Sequence, residues 1–250
     1  MQPPAMTEAP NPPRGPPEVF HAFAAAAQTW RANPWSVLLM LGVVSLVWAV
    51  PWILYEETLK AVRVGLWGPV LMIVESLWWA PVLAVQLRFA LVLSRGHRLS
   101  AHDLFKGLRM SGSMAVISGL WILPFALSDL LPETPGEDIG WREGVGFAVA
   151  LAGIYFFVRL SMAPVLAADA RRGPFWALAN SWVLTTRRFW PLVGFGLLHL
   201  VVLLLLYLLT GGRRPASFAI FDLGICPLSC LAYVSLYLTY ADQPRHVADG

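Results

Sequence analysis

Two arginines inside long apolar stretches are the residues best placed to do chemistry in this chain of 250 residues. Arg88 lies in the apolar stretch 66–93, and Arg159 lies in the stretch 145–168. A charge at the centre of a bilayer is costly, so an embedded arginine usually faces protein, water or a lipid headgroup. The two positions predict a pair of cations that binds a phospholipid headgroup or another anion. The competing interpretation is that both side chains snorkel to the interface or pair with a backbone carbonyl.

A set of further arginines flanks these stretches and extends the candidate lipid-binding or anion-binding surface. It comprises Arg95, Arg98, Arg171, Arg172, Arg187 and Arg188, and Lys106 and Arg109 belong to the same basic set on this side of the predicted spans. Each cation close to an anionic membrane surface contributes about 1 kcal/mol of attraction. The same arginines would also supply the excess of positive charge that fixes the cytoplasmic side of a membrane protein, which is the competing explanation. No nucleic-acid-binding module accompanies them, so we expect no nucleic acid as a partner.

Other patterns that carry chemistry are missing from the sequence. It has no nucleophile elbow, P-loop, dinucleotide fingerprint or zinc-spaced cluster of histidines and cysteines. His97 and His102 lie beside Asp103, a pattern that is more typical of a solvated turn than of a metal site. Cys226 and Cys230 lie four residues apart in an apolar run and favour helix packing. We therefore expect no catalytic residues, no metal, no cofactor and no enzymatic activity.

The composition is that of a membrane protein. Hydrophobic residues make up 57% of the chain and charged residues 13%, with a mean hydropathy of +0.61, whereas soluble domains contain about 25% charged residues. A helix needs about 20 apolar residues to cross a bilayer core. Six stretches meet this length, at 35–54, 66–93, 114–131, 145–168, 190–209 and 218–240. The predicted fold is an all-α polytopic bundle of six transmembrane helices.

The distribution of charge predicts the orientation and the domain boundaries. Of the 18 lysines and arginines, 11 flank one side of the predicted spans, 5 flank the other and 2 are embedded. The positive-inside rule then predicts a multi-pass protein of the bacterial inner membrane with both termini in the cytoplasm. Residues 1–18 are proline-rich and predict a disordered tail. Residues 19–241 form the predicted membrane domain, and 242–250 form a polar tail.

Three segments that precede the first, third and fifth spans predict amphipathic helices on the cytoplasmic face. They begin at residues 20, 99 and 173, and each mixes bulky apolar residues at helical spacing with basic or small polar ones. This pattern is typical of a helix that lies in the membrane interface. The alternative is that the three segments are the ends of long, tilted spans.

The spacing of two embedded arginines also predicts an internal repeat. Arg88 is followed 17 residues later by Phe105, and Arg159 is followed 17 residues later by Trp176. A basic turn and an amphipathic segment come after each arginine. The chain is therefore predicted to contain three units, each an interfacial helix plus two spans, with pseudo-threefold symmetry.

The segment 159–196, RLSMAPVLAADARRGPFWALANSWVLTTRRFWPLVGFG, resembles a recurring segment of one group of bacterial membrane proteins. The matching positions are Arg159, Pro164, Asp169, Ala177, Leu178, Ser181, Trp182, Leu184, Thr185, Arg188, Phe189 and Trp190. The group consists of the six-span membrane domain attached to some glycerophosphodiester phosphodiesterases and its uncharacterised stand-alone relatives. The resemblance implies six helices and cytoplasmic amphipathic segments. It implies no catalysis, because the phosphodiesterase reaction of those proteins belongs to a separate soluble barrel domain.

Three functions follow from these observations. The first is a non-enzymatic inner-membrane protein that engages anionic lipid at its cytoplasmic face, in a lipid-handling or membrane-organising role. The second is an accessory or scaffold subunit of a larger membrane complex, in which the smooth fifth span and the GxxxG pair Gly140 and Gly144 meet partner helices. The third is a small-solute transporter, although polar residues near the membrane midplane are almost absent.

Overall fold

The computed structural model describes residues 17–39, 67–128, 139–170, 172–186, 188–209 and 226–241. Within these ranges all the regular secondary structure is α-helical, with a helical segment at 34–39 and nine further helices. The nine are α1 (Pro17–Ala32), α2 (Trp67–Ser94), α3 (Ala101–Arg109), α4 (Ser111–Ser128), α5 (Ile139–Leu160), α6 (Ala163–Ala170), α7 (Pro174–Thr186), α8 (Phe189–Leu209) and α9 (Cys226–Ala241). The predicted all-α class is confirmed.

Three of the described helical segments are long and apolar enough to cross a membrane, as expected of a multi-pass membrane protein. They are Leu77–Ser94 in α2, Leu151–Ala170 across α5 and α6, and Phe189–Leu209, which is α8. They coincide with three of the six predicted stretches. The helices α4 and α9 overlap two more, and the stretch 35–54 lies outside the described residues beyond position 39.

The predicted stretch 145–168 contains a break between two helices. Helix α5 ends at Leu160, and α6 begins at Ala163. Pro164 explains the break, because its ring would clash with the carbonyl of Leu160, four residues earlier, and proline fits only the first turn of a helix. The hydroxyl of Ser161 donates to the carbonyl of Val158 at 2.8 Å and satisfies one acceptor at the end of α5. Arg159 therefore lies in the last turn of α5.

The N-terminal boundary lies slightly earlier than the sequence predicted. Helix α1 begins at Pro17, so the last two residues of the predicted tail 1–18 are helical. Proline is favoured at the start of a helix, and the acidic Glu18 complements the positive end of the helix dipole. Residues 1–16 of that tail and the predicted C-terminal tail 242–250 lie outside the described residues.

Helix α2 lies at the centre of the bundle and packs against α3, α4, α6 and α9. Its buried side chains alternate small and large residues, as Ala84, Leu87 and Leu91 illustrate. All residues of α6 from Ala163 to Ala168 are buried as well. Small side chains let helix backbones approach closely, and van der Waals packing of this kind holds helices together inside a bilayer.

The outer surface of the bundle is apolar, most clearly along α8. Only 6% of the residues of α8 are buried, and Leu200, Leu204 and Leu208 are each more than half exposed. Ile154 on α5 is also more than half exposed. Large exposed apolar surfaces are rare on soluble monomers and mark contact with membrane or with another protein. The prediction of a smooth fifth span agrees with this exposure.

Helices occupy all three segments that were predicted to be amphipathic, and each packs along a different long helix. Helix α1 packs on α9, α3 packs on α2, and α7 packs on α5 and α6. The buried faces of α3 and α7 carry small or polar residues, among them Gly107 and Ser181, while Phe105 and Phe175 are exposed. Burial of small residues and exposure of large apolar ones is the reverse of the pattern in a soluble helix.

Candidate anion-binding site

The start of α3 is fastened by a capping box. The backbone N–H and the hydroxyl of Ser100 both donate to Oδ2 of Asp103, at 3.2 Å and 2.7 Å. The other carboxylate oxygen of Asp103, Oδ1, accepts a hydrogen bond from Nη2 of Arg88 at 3.1 Å. The two side chains are only 14% and 10% exposed. One carboxylate thus caps α3 and ties it to α2 through a largely buried ion pair.

The charge of Asp103 is stabilised by the same contacts. Burial by itself would raise its pKa, but the hydrogen bonds from Ser100 and Arg88 and the positive charge of Arg88 outweigh burial, and they lower the pKa below its usual range. Asp103 is therefore ionised at neutral pH, and it neutralises Arg88.

One turn further along α3, Gly107 lies directly on the backbone of α2. A Cβ atom at this position would lie 2.8 Å from the Cα of Val85, closer than two carbon atoms can approach. Only glycine, which has no Cβ, allows this contact. We refer to the contact made by Arg88, Asp103, Val85 and Gly107 as the α2–α3 joint.

Next to this joint, basic side chains line a cavity of about 450 Å³, which we call the basic pocket. His102, Lys106 and Arg109 share one face of α3, because residues four and three apart lie above one another on a helix. Arg88 and Arg172 complete the basic lining. The remaining lining residues are Met110, Ser113, Ala168 and Gly173.

Most of the positive charge in the basic pocket is not neutralised by the described part of the chain. Arg88 pairs with Asp103, but no carboxylate among the described residues forms an ion pair with Lys106, Arg109 or Arg172. The guanidinium of Arg172 lies 4.9 Å from the ring centroid of Trp176, a cation–π contact that orients the side chain without removing its charge. A concave site lined by one sign of charge attracts ligands of the opposite sign. The basic pocket can therefore bind an anion such as a phosphate.

Arg159 belongs to a different contact, in which α7 is fastened to the end of α5. The hydroxyl of Ser181 donates to the backbone carbonyl of Arg159 at 2.8 Å. The hydroxyl of Thr185 lies 3.0 Å from the same carbonyl and 2.8 Å from the carbonyl of Ser181, so its one hydrogen is shared between the two. The carbonyl of Arg159 is one of the acceptors that the end of a helix leaves without an intrahelical partner. We refer to the contact made by Arg159, Ser181 and Thr185 as the α5–α7 joint.

The guanidinium of Arg159 is surrounded by aromatic rings. Its Cζ lies 5.1 Å, 5.4 Å and 5.6 Å from the ring centroids of Tyr155, Trp182 and Phe189. Its Nε also donates to the hydroxyl of Tyr155 at 3.1 Å. Arg159 does not line the basic pocket. The sequence predicted that Arg88 and Arg159 act as a pair, but the structure places them in two different contacts. Helices α5, α7 and α8 each present an aromatic ring to Arg159, whereas α3 presents a carboxylate to Arg88.

Arg95 and Arg188 pair with carboxylates of distant helices. Arg95 makes a two-pronged ion pair with Asp169, with N–O distances of 2.7 Å and 2.8 Å. Tyr237 donates to the same carboxylate at 2.9 Å. These contacts join the end of α2, the end of α6 and α9.

Arg188 forms the second of these long-range pairs. Its Nη1 lies 2.8 Å from Glu18 Oε1, and its Cζ lies 4.8 Å from the ring centroid of Tyr240. The pair joins the start of α1 to the residue before α8, beside α9. Neither Arg95 nor Arg188 lines the basic pocket.

The remaining residues predicted for binding or packing are distributed as follows. Arg98 is exposed and lies outside the basic pocket, whereas Arg171 and Arg187 lie outside the described residues. Gly144 is exposed, and no heavy atom lies within 4 Å of the position that a Cβ would take there. Gly140 lies in α5, but its surroundings are outside the described part of the structure.

Two of the eight predicted arginines, Arg88 and Arg172, therefore line the basic pocket, and the prediction missed the three basic residues of α3. Lys106 and Arg109 were counted among the cations that attract anionic lipid or fix membrane topology, but not among the candidate site residues, and His102 was assigned to a solvated turn. The spacing of His102, Lys106 and Arg109, which places them on one helix face, was the signal that could have identified a pocket wall.

No protein-family model, curated protein or solved structure matches the chain. Among the described residues, no group of three or more histidine, cysteine, aspartate or glutamate side chains could hold a metal ion. The geometry of the basic pocket is therefore the main observation that points to a function.

Proposed function

We propose that this chain is a non-enzymatic, multi-pass protein of the bacterial inner membrane that holds an anionic lipid by its phosphate headgroup. The observation that carries the proposal is the set of three cations, Lys106, Arg109 and Arg172, that line one pocket without a carboxylate partner among the described residues. Basic pockets between helices on the cytoplasmic side of a membrane protein suit lipid phosphates. The role would be lipid handling or membrane organisation.

The apolar surface beside the basic pocket favours a lipid over a soluble anion. Phe105 and Leu108 are 61% and 41% exposed, and they lie on the face of α3 next to the one that carries Lys106 and Arg109. Phe175 on α7 is 75% exposed. A helix with adjacent basic and apolar stripes lies at a membrane interface, where its apolar residues contact acyl chains and its cations contact headgroups.

The proposal includes six transmembrane helices and three cytoplasmic interfacial helices in a pseudo-threefold arrangement, with both termini in the cytoplasm. Its support is that α1, α3 and α7 each pack along a different long helix. The contact of Gly107 with Val85 also has a counterpart 74 residues later, where Ser181 bonds to Arg159, an interval three residues longer than the 71 that separate Arg88 from Arg159 in the predicted repeat. The interval of 74 residues also separates Arg95 from its partner Asp169.

The resemblance to the six-span domain attached to glycerophosphodiester phosphodiesterases supports the same architecture. Several of its quoted positions build the α5–α7 joint, namely Arg159, Ser181 and Thr185, together with the rings of Trp182 and Phe189. These residues hold helices together. Shared architecture, rather than shared catalysis, is what such a motif would preserve.

The test is to remove two charges from the pocket and two from elsewhere. The variant Lys106→Gln/Arg109→Gln is compared with Arg31→Gln/Arg98→Gln, whose arginines are exposed outside the pocket. A charge-assisted hydrogen bond to the phosphate is worth about 1.5–3 kcal/mol, so the pocket variant should bind phosphatidylglycerol more than about 100-fold more weakly. The control loses only surface attraction, at most about 1 kcal/mol per charge, and should bind at most about 30-fold more weakly. Native mass spectrometry from nanodiscs measures the retained lipid. Equal losses in both variants would contradict a pocket and indicate only diffuse surface attraction.

A second candidate function, an accessory or scaffold subunit, is favoured by the exposure of α8. A helix with 6% of its residues buried presents nearly its whole apolar surface to whatever surrounds it, and Gly144 leaves a further close-packing position open. A stoichiometric protein partner that crosslinks to α8 in the native membrane would support this function. Recovery of the chain with lipid alone would argue against it.

A further inference from the structure

We infer that the basic pocket takes a lipid headgroup with two phosphate groups in preference to one with a single phosphodiester. The inference rests on the proposed function, since it names the class of lipid for the same pocket. It follows from the number of uncompensated charges, from their placement on two walls and from the size of the cavity.

The number of charges is the first argument. Asp103 neutralises Arg88, which leaves Lys106, Arg109 and Arg172 as three cations without a carboxylate among the described residues. A single phosphodiester carries one negative charge and would leave two of these cations unpaired in a concave site. A headgroup with two phosphodiesters would leave one. Neutralising one more of the three cations is favourable, because positive charges that stay close together repel each other.

The placement of the cations is the second argument. Lys106 and Arg109 come from α3, whereas Arg172 comes from the link between α6 and α7, beside Gly173. The ring of Trp176 orients Arg172, and the α2–α3 joint fixes α3. The α3 side of the pocket and the side formed by the link between α6 and α7 therefore both carry positive charge, and each is held in place by its own contact. One phosphate can bind to the α3 wall while a second binds to Arg172.

The size and the remaining lining of the cavity are the third argument. A volume of about 450 Å³ corresponds to about 15 water molecules at roughly 30 Å³ each, which is far more than the five heavy atoms of one phosphate group need. Ser113 adds a hydroxyl to the lining that can bond to the alcohol of a bridging glycerol, and Met110 and Ala168 add apolar surface. The cavity thus has room for two phosphates and the short linker between them.

The experiment compares two lipids at equal phosphate content. The full chain is placed in phosphatidylcholine nanodiscs that contain either cardiolipin, with two phosphodiesters, or twice the molar amount of phosphatidylglycerol, and native mass spectrometry counts the retained anionic lipid. Wild-type protein should retain cardiolipin at least 10-fold more strongly. Arg172→Gln should weaken the retention of both lipids and reduce this preference to less than threefold, because cardiolipin loses the cation that binds its second phosphate. The control Arg98→Gln should keep the full preference, and the thermal unfolding temperature of each variant verifies folding.

Each outcome bears on the inference in a defined way. Equal retention of the two lipids, or a cardiolipin preference that survives Arg172→Gln, would overturn the inference of two phosphates while the proposed function stands. Loss of both lipids from wild-type protein would overturn the proposed function as well. Inorganic pyrophosphate tests the source of the phosphates. If it displaced cardiolipin completely at micromolar concentration, the pocket would belong to a soluble diphosphate instead of a lipid.

Discussion

The α2–α3 joint and the α5–α7 joint both fasten a short helix to the end of a long one, but they use different chemistry. In the first, an ion pair between Asp103 and Arg88 and the backbone contact of Gly107 hold α3 in place. In the second, the hydroxyls of Ser181 and Thr185 bond to a backbone carbonyl. An ion pair therefore holds the short helix in the α2–α3 joint, whereas neutral hydrogen bonds hold it in the α5–α7 joint.

The difference shows where the capacity to bind an anion comes from. Arg88 and Arg159 look alike in the sequence, yet Arg88 is neutralised by Asp103 and Arg159 lies among aromatic rings. Neither embedded arginine is the main source of free positive charge. That charge belongs to Lys106, Arg109 and Arg172, which have no carboxylate partner among the described residues. Lys106 and Arg109 lie on the face of α3 next to the one that makes the joint. The joint orients the helix, and the neighbouring face forms the binding surface.

The largest effect is expected at the closest contact of the α2–α3 joint. Gly107→Ala places a Cβ 2.8 Å from the Cα of Val85, so α3 must move away from α2, at a cost of about 1–3 kcal/mol. Gly112→Ala is the matched control, because its Cβ would meet open space, and alanine there should stabilise the helix by up to about 1 kcal/mol. Thermal unfolding in mild detergent measures both. Similar shifts for the two variants would show that α3 does not depend on this contact.

The next effect concerns the ion pair of the same joint. Asp103→Asn should destabilise the protein by about 1–3 kcal/mol, because Arg88 is left without its counter-ion. It should also increase the retention of anionic lipid, because the pocket gains a net positive charge. A double-mutant cycle with Arg88→Gln isolates the energy of the pair. A fall in both stability and lipid retention would contradict the assignment of Asp103 as a neutralising residue.

The pH dependence of that pair has a defined sign. The contacts with Ser100 and Arg88 lower the pKa of Asp103 in the folded protein, so its contribution to stability is present above the ordinary value of 3.8 and disappears as the pH falls through the lowered pKa. The difference in unfolding temperature between wild type and Asp103→Asn should therefore be constant from pH 8 to pH 5. It should shrink only under more acidic conditions.

A smaller effect is expected in the α5–α7 joint, because its bonds are neutral. Ser181→Ala/Thr185→Ala removes the hydrogen bond of Ser181 to the carbonyl of Arg159, worth about 1 kcal/mol, and that of Thr185, which is shared between this carbonyl and the carbonyl of Ser181. Lipid retention in the basic pocket should not change. Thr186→Ala is the control, since its hydroxyl bonds within α7 and is exposed. If the double variant weakened lipid retention as strongly as the pocket variant, the two joints would not be independent.

The smallest effect is expected where α9 meets the C-terminal ends of α2 and α6. Tyr237→Phe removes one hydrogen bond to Asp169, which keeps both of its bonds to Arg95. The unfolding free energy should fall by roughly 0.5–1.5 kcal/mol. A much larger loss would indicate that α9, rather than Arg95, holds α6 against α2. Arg95→Lys, which keeps the charge and loses the two-pronged geometry, separates these contributions.

The sequence predicted the helices better than the site, for a physical reason. The length of an apolar run acts locally, so α2 and α8 follow from the chain itself. The break at residues 161–162, by contrast, interrupts a stretch that was predicted to be continuous. The partner of Arg88 is Asp103, on another helix, and it depends on how α3 packs against α2. Cations on one helix face look the same whether they border water or a pocket, which is why Lys106 and Arg109 were not identified. Six spans and the family resemblance stay predictions.

The length of α2 sets the depth of the basic pocket relative to the bilayer. A helix of 28 residues is about 42 Å long at about 1.5 Å per residue, whereas the hydrocarbon core is about 30 Å thick. The part of α2 that is apolar enough to cross a membrane, Leu77–Ser94, has 18 residues and is about 27 Å long, and Arg88 lies six residues, about 9 Å, from its end. A bilayer that covered this segment of an upright α2 would place Arg88 within snorkelling reach of the lipid phosphates. A thicker membrane would submerge this arginine, so hydrophobic thickness would tune the affinity of the pocket.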